Sequence, residues 1–309
     1  MADFSIRPAR PDDAAAVVTL GATVHPYLVR GVARTRLMIA EPPPGEDWAA
    51  FVAERDGEPV GWVSAYRKVR TTEPDFGQIS LLQVHPTARG RGIGGALFAA
   101  AAGHLRAAGV RRAAVTATPQ ALPFARRRGF EPVRELRYSA LELAALDGVP
   151  ADRVPDGVRL IALRETTAEE LYAADVVAAA DEPGDVAPQP PSFESWRYDI
   201  WQNPGLDHDC STAALVAGEI VSFSLLVRDG DRVWSDMTAT APGHRGRGLA
   251  RLVKSVALRR AAATGVTRAF TSNDEANLPM LAVNTRLGYR PVASQFSCVG
   301  SLEQSSGGR

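Results

Sequence analysis

Apolar and polar residues recur along this chain in two similar series. From Ala50 to Tyr66 the sequence reads as a hairpin: FVAER, the turn pair Asp56-Gly57, then PVGWVSAY. From Ala213 to Val227 the design returns as AALV, a turn at Ala217-Gly218-Glu219, then IVSFSLLV. A third strand is predicted after each hairpin, at 78–84 and at 233–240. Upstream, a strand at 5–8 leads through an Asp12-Asp13 cap into a helix ending near Leu20. In the second series a strand at 158–163 precedes the capping signature Thr166-Thr167-Ala168-Glu169-Glu170 and another helix. Between first helix and hairpin lie loops without a periodic signal, at Glu41-Pro42-Pro43-Pro44-Gly45 and from Asp181 to Pro191. Long loops of this kind are often functional.

The two series share an offset. Arg89-Gly90-Arg91-Gly92-Ile93-Gly94 returns as Arg245-Gly246-Arg247-Gly248-Leu249-Ala250, 156 positions later (245 − 89). Gly109-Val110 and Gly265-Val266 keep that offset, and Gly129 and Gly288 differ by 159 (288 − 129). The chain is therefore read as a duplicated domain with a small insertion. The copies are placed at 1–147 and 157–302, with a linker at 148–156 and a Ser/Gly-rich tail at 303–309 that is expected to be disordered.

Composition removes several classes. Lysine plus arginine number 35, as do aspartate plus glutamate, so no overall field draws the 309-residue chain to nucleic acid or an anionic membrane. No apolar run reaches the ~18 residues of a membrane span. Cys210 and Cys298 are the only cysteines, which is neither a disulfide framework nor a zinc site, and a reducing cytoplasm is the expected compartment. No metal is expected. Lysine occurs twice, at Lys68 and Lys254.

The chemistry sits in the glycine loops. In each copy a strand ends, a proline breaks it, a glycine-rich turn follows and a helix starts. Glycine permits left-handed dihedrals and close backbone approach. The free N–H groups and the dipole at the helix start attract a phosphate, and Arg89, Arg91, Arg245 and Arg247 add charge. Neither loop carries the Gly-Lys-Ser/Thr of a Walker A motif, and neither holds the place of a dinucleotide fingerprint. The alternative is a tight turn with surface arginines, which a twofold occurrence in matching context makes the weaker reading.

These loops, with Leu82-Gln83-Val84-His85-Pro86 before the first and Arg128-Gly129-Phe130 and Leu287-Gly288-Tyr289 closing the copies, resemble the Gcn5-related N-acetyltransferase (GNAT) family. The signature Arg/Gln-x-x-Gly-x-Gly/Ala is met by Arg89-x-x-Gly92-x-Gly94 and by Arg245-x-x-Gly248-x-Ala250. The tandem form looks like the mycothiol synthase type of actinobacterial double acetyltransferase. The resemblance implies an α/β (α+β) architecture of two tandem GNAT folds, each a mixed, mostly antiparallel central sheet flanked by helices. It implies acetyl-CoA as cofactor, with pantetheine lying where the strand before the loop splays from its neighbour. By position the binding residues are Leu82, Gln83, Val84, Arg89, Gly90, Arg91, Gly92, Ile93, Gly94 and Gly95 in the first copy. In the second they are Thr238, Ala239, Thr240, Arg245, Gly246, Arg247, Gly248, Leu249, Ala250, Asn273 and Asn277.

Many family members place a tyrosine four residues before the closing glycine as general acid for the leaving thiolate. Here Ala125 and Asn284 stand at those positions. The second copy, with Asn277 and Asn284, is expected to be catalytic, and the first, with Arg126-Arg127-Arg128 and two prolines, degenerate. Asp236, on the strand before the second loop, is the candidate base, given partial burial to raise its pKa. Asp181, Glu182 and Asp185 lie in a loop expected to cover the acceptor, where they offer charge to a cationic amine. The expected reaction is acetyl transfer from acetyl-CoA to a primary amine of a small molecule in a ternary complex, by a monomer or homodimer. The competing readings are a non-catalytic acyl-CoA-binding or sensing protein, and a tandem in which the first fold only scaffolds the second.

Overall fold

The structure is a computed structural model that describes residues 3–149, 153–178, 185–187 and 189–303. In the first half the elements are β1 (Ser5–Pro8), α1 (Ala14–Val24), α2 (Val32–Ala40), β2 (Ala49–Arg55), β3 (Glu58–Arg67), β4 (Phe76–Val84), α3 (Ile93–Ala107), β5 (Arg112–Ala117), α4 (Leu122–Arg126) and β6 (Phe130–Glu142). The second half holds β7 (Val158–Ala162), α5 (Ala168–Ala178), α6 (Phe193–Trp196), β8 (Thr212–Val216), β9 (Glu219–Asp229), β10 (Arg232–Thr240), α7 (Leu249–Ala263), β11 (Arg268–Asp274), α8 (Leu278–Leu287) and β12 (Arg290–Ser301). The hairpins and third strands fall where the alternation puts them. Helix α2 and the short α6 were not anticipated. A single buried residue on α2, Thr35, leaves it without an apolar stripe to read.

Two compact units divide the described residues. One takes those within Met1–Leu136, Gly184–Gln189 and Ser294–Arg309, the other those within Arg137–Pro183 and Pro190–Ala293. In the first unit the strand order is β1-β2-β3-β4-β5-β12. Neighbours run antiparallel except β4 and β5, which are parallel. In the second the order is β7-β8-β9-β10-β11-β6, and β10 and β11 are the parallel pair. Each copy thus completes its sheet with a strand end from the other half. In the first unit Phe296–Ser301 of β12 pairs with Ala117–Arg112 of β5. In the second, Arg268 binds Glu142 at the end of β6 and the Leu143 amide donates to Thr267. The compact units therefore do not divide at 148–156.

Local chemistry explains the elements that frame each site. On α3, Ile93, Leu97, Ala101, Ala102 and Leu105 form a buried stripe at helical spacing. With Ala53, Val63, Ile79 and Phe130 they make the first core, to which Cys298 and Leu302 of the exchanged segment contribute. On α7 the equivalent stripe is Leu249, Leu252, Val253, Ala257, Leu258 and Ala261, joined by Lys254 and Ser255. The capping signature before α5 forms as read. The Glu170 amide donates to Thr167 Oγ1, and Glu170 Oε2 accepts from the Thr167 amide and the Thr166 hydroxyl.

Candidate active site

In each copy the parallel ladder stops short. β4 and β5 pair from Phe76↔Arg112 to Ile79↔Val115, and β10 and β11 from Arg232↔Arg268 to Trp234↔Phe270. Where the ladder ends, an extra residue enters the strand before the loop. The β10–β9 register shifts between Ser235 and Thr238, and β4 carries a left-handed residue, Leu81 at φ 54°. Such a bulge bends its strand and ends regular pairing. Thr238, Ala239 and Thr240 remain paired to β9 through Ser224, Phe223 and Ser222. Their side facing β11 has no ladder partner among the described residues. This is the fork expected to receive pantetheine.

Both loops have the predicted backbone. Gly90 and Gly92 sit at φ 77° and 86°, Gly246 and Gly248 at 74° and 79°. Gly92 and Gly248 are the N-caps of α3 and α7. A Cβ at any of the four would meet nothing, so the glycines are required by the left-handed dihedral, and the space before them is open. The first-turn amides after Gly248, on Leu249 and Ala250, and after Gly92, on Ile93, Gly94 and Gly95, have no intrahelical acceptor. The arginines are otherwise employed than by charge alone. Arg89 Nε donates to Val84 O (3.1 Å) and Arg245 Nε to Thr240 O (3.0 Å), clamping each loop to the end of its strand. Arg91 pairs with Asp3, and Arg247 lies 3.2 Å from His244 Nδ1.

The copies differ in what lines the space behind the loop. In the first unit Gly94 faces Phe124 and Leu82, Phe98 meets Phe124 edge to face, and the Arg128 guanidinium stacks 3.5 Å from the Phe124 ring centre. Gln83 is buried, with its Nε2 unpartnered among the described residues. Ala125, at the position of the family's tyrosine, is part of the core.

In the second unit the same region is polar. Asn284 is buried. Its Oδ1 accepts from Lys254 Nζ (2.7 Å) and its Nδ2 donates to Asn273 Oδ1 (2.6 Å). Lys254 is 1% exposed, and burial alone pushes its pKa down to about 7. Its ammonium lies 5.1 Å from the centre of the Tyr289 ring. Tyr289 OH and Ser235 Oγ are both buried, and burial raises the phenol's pKa. Thr271 Oγ1 donates to the Ser235 carbonyl (3.0 Å) at the base of the fork. Asn273 and Asn284 are thus joined directly, whereas Asn277 caps α8 by accepting from the Met280 amide.

Two carboxylates depart from expectation. Asp236 is exposed on the bulge of β10, so the partial burial that was to raise its pKa is absent. Asp185 belongs to the first unit, where its buried side chain binds Arg134 Nε (2.6 Å) and Lys68 Nζ (3.2 Å). Burial opposes its ionisation, but these cations hold its pKa below the ordinary value. It is consumed by an ion pair and offers nothing to an amine. Asp181, Glu182 and the tail from Ser305 lie outside the described residues. Sequence reasoning missed Lys254, Ser235, Thr271 and Tyr289. The signal for Lys254 was its rarity, together with its place on the buried face of α7.

The profile of the acetyltransferase (GNAT) family matches residues 26–130 and again 175–289. The chain belongs to the acetyltransferase (GNAT) family. It is an enzyme of acyl transfer, and enzymes of this family generally use acetyl-CoA. The chain is 27% identical over 251 residues to a mycothiol acetyltransferase of Catenulispora acidiphila, covering 77% of each chain. It is 30% identical over 225 residues to a mycothiol acetyltransferase of a Nocardioides species, covering 67% of this chain and 75% of the relative. The tandem GNAT protein from the clavulanic acid biosynthesis pathway superposes with a TM-score of 0.76 at 21% identity, over 98% of this chain and 100% of that one. A GCN5-related N-acetyltransferase from Sphaerobacter thermophilus gives 0.71 at 19% identity, over 98% and 97%. At those identities the structures speak to the tandem fold. No helix among the described residues of this acetyltransferase is long and apolar enough to cross a membrane.

Proposed function

We propose that this acetyltransferase moves the acetyl group of acetyl-CoA to a primary amine of a small molecule in a ternary complex, that its second copy (157–302) is catalytic, and that its first (1–147) is degenerate. The observation that carries the reading is the pairing of an open left-handed loop, Arg245 to Ala250, with a fork whose lining is polar. The first copy has an equivalent loop, but Leu82, Phe98 and Phe124 crowd the region behind it.

In the second copy the amides after Gly248 are suited to the pyrophosphate, with the helix dipole behind them. The unpaired side of Thr238 to Thr240 is suited to the pantetheine amides. A backbone N–H there would bind the thioester oxygen as charge develops on it. The enzyme's further contribution is alignment of two bound reactants, which needs no covalent intermediate. The relatives named mycothiol acetyltransferases, matched over most of this chain, support a small-molecule acceptor.

The test is a calorimetric titration with acetyl-CoA of the wild type, Gly248→Glu and Gly92→Glu. A carboxylate and a side chain at a left-handed position repel phosphate and strain the turn. The expected result is loss of binding in Gly248→Glu and near wild-type binding in Gly92→Glu. Loss in Gly92→Glu alone would reverse the assignment of the copies, and no wild-type binding would overturn the cofactor.

A further inference from the structure

The duplication supplies an internal control for the polar cluster. At an offset of 156, Ser235, Lys254, Thr271 and Asn273 answer to Ile79, Phe98, Val115 and Ala117. At the later offset of 159, Asn284 and Tyr289 answer to Ala125 and Phe130. The first-copy residues all belong to, or pack against, one apolar core. Their second-copy counterparts are all polar, and in space they meet around Lys254 and the base of the fork. The same fold therefore stands with an apolar set at these positions, and packing does not demand the polar one.

The polar set is also costly. A buried lysine gains from a carboxylate partner, yet among the described residues Lys254 has one hydrogen bond, to Asn284, and burial alone shifts its ionisation. The titratable group beside it is the Tyr289 phenol, and no charged side chain from the elements packed on α7 acts on it among the described residues. Groups retained against stability are characteristic of functional sites.

We propose that Lys254 is a positioning residue of the acyl transfer: it fixes and polarises the Asn284 amide, one N–H of which is held by Asn273 while the other meets the departing sulfur where this chain lacks the family's tyrosine. This inference rests on the second copy being catalytic. In the step concerned the amine nitrogen bonds to the thioester carbon, the C–S bond breaks, and its electron pair leaves on sulfur. The proton of the attacking amine passes to water. Asn284 donates no proton; it solvates the thiolate through the N–H not given to Asn273, which Lys254 strengthens by holding the amide oxygen. The cationic form of Lys254 does this best, so activity declines as pH rises through its ionisation.

The experiment compares wild type, Lys254→Met, Lys254→Gln, Asn284→Ala and the Lys254→Met/Asn284→Ala double variant. Acetyl-CoA binding is followed by calorimetry, and CoA release is measured with acetyl-CoA and glucosamine, cysteine or spermidine as acceptor. Lys254→Met is expected to melt at or above the wild-type temperature and to bind acetyl-CoA within about threefold of wild type, while kcat falls on the order of 100-fold with KM little changed, as for loss of one preorganised donor. Lys254→Gln, which keeps a donor without the charge, should recover part of kcat. The alkaline decline of kcat near neutrality should vanish in Lys254→Met, and the double variant should be no slower than Asn284→Ala. Unchanged kcat in Lys254→Met, or losses that multiply in the double variant, would overturn the inference while leaving the catalytic copy in place. Absence of wild-type turnover would overturn the proposed function and this inference with it.

Discussion

Lys254 makes the stability of the second unit depend on pH in a direction fixed by its burial. Its folded pKa is pushed down to about 7, well below that of an unfolded lysine. Between those values the unfolded chain holds a proton that the folded chain has released. Stability therefore rises with pH from neutrality toward the ordinary lysine range, by at most about 1.4 kcal/mol per pH unit. Urea unfolding of the wild type at pH 7 and pH 9 should show this gain, and Lys254→Met should remove it. An equal slope in the variant would assign the effect to other groups. This residue was half legible in the sequence. Its rarity and its place on α7 were visible, but an apolar stripe read by composition skips a lysine. The glycines were fully legible, because a left-handed turn before a helix leaves little choice of residue. Asp236 was placed on the correct strand and misjudged in burial. The β10 alternation buries Val233 and Ser235 and so turns Asp236, the next residue, to the opposite face, where it is exposed just as the bulge begins.

At the scale of elements, legibility followed the strength of local signals. The hairpins were read because Asp56-Gly57 and Ala217-Gly218 mark turns between alternating runs, and all four residues adopt positive φ. The start of α5 was read from its capping box. Thr167→Ala removes the hydroxyl that accepts from the Glu170 amide, and is expected to cost about 1 kcal/mol. In thermal unfolding this should lower the midpoint of the second unit by about 2–4 °C. Thr167→Ser, which keeps the acceptor, should restore most of it, and no change in either variant would mean that the cap adds nothing there. Helix α6 offered no such signal: spanning Phe193–Trp196 and followed by a π-helical turn at Arg197–Trp201, it is too short for a helical period. Its stability comes from tertiary partners, with Trp196 fully buried and its indole N–H donating to Asp175 (2.6 Å).

At the scale of the molecule, the repeat was legible and the exchange of terminal strands was not. An offset records which residues correspond, not which copy a strand pairs with. The exchange predicts that a fragment ending at 147 will not reproduce the first unit. It would lose Phe296–Ser301 as the partner of β5, and Cys298 and Leu302 from the core. The unpaired edge of β5 and the opened core would favour aggregation. Tight packing makes the exchanged segment specific: a Cβ on Gly300 would fall 2.5 Å from Gly129 O and 2.8 Å from Phe130 Cγ. Because part of that obstruction is backbone, Gly300→Ala in the full chain is expected to cost about 3 kcal/mol, the upper end for overpacked cores. The fragment 1–147 should be expressed beside the same fragment carrying 294–303 through a flexible linker, and both compared by amide hydrogen exchange. Protection of β5 in the linked fragment alone would establish that the first copy depends on the last strand of the second. Equal protection in both would mean that the copy closes its sheet by itself. In the first case, loss of the C-terminal segment would unfold the first copy before the glycine loop at Gly248 was touched. Selection on the C-terminus for stability would then be separable from selection on the site for chemistry.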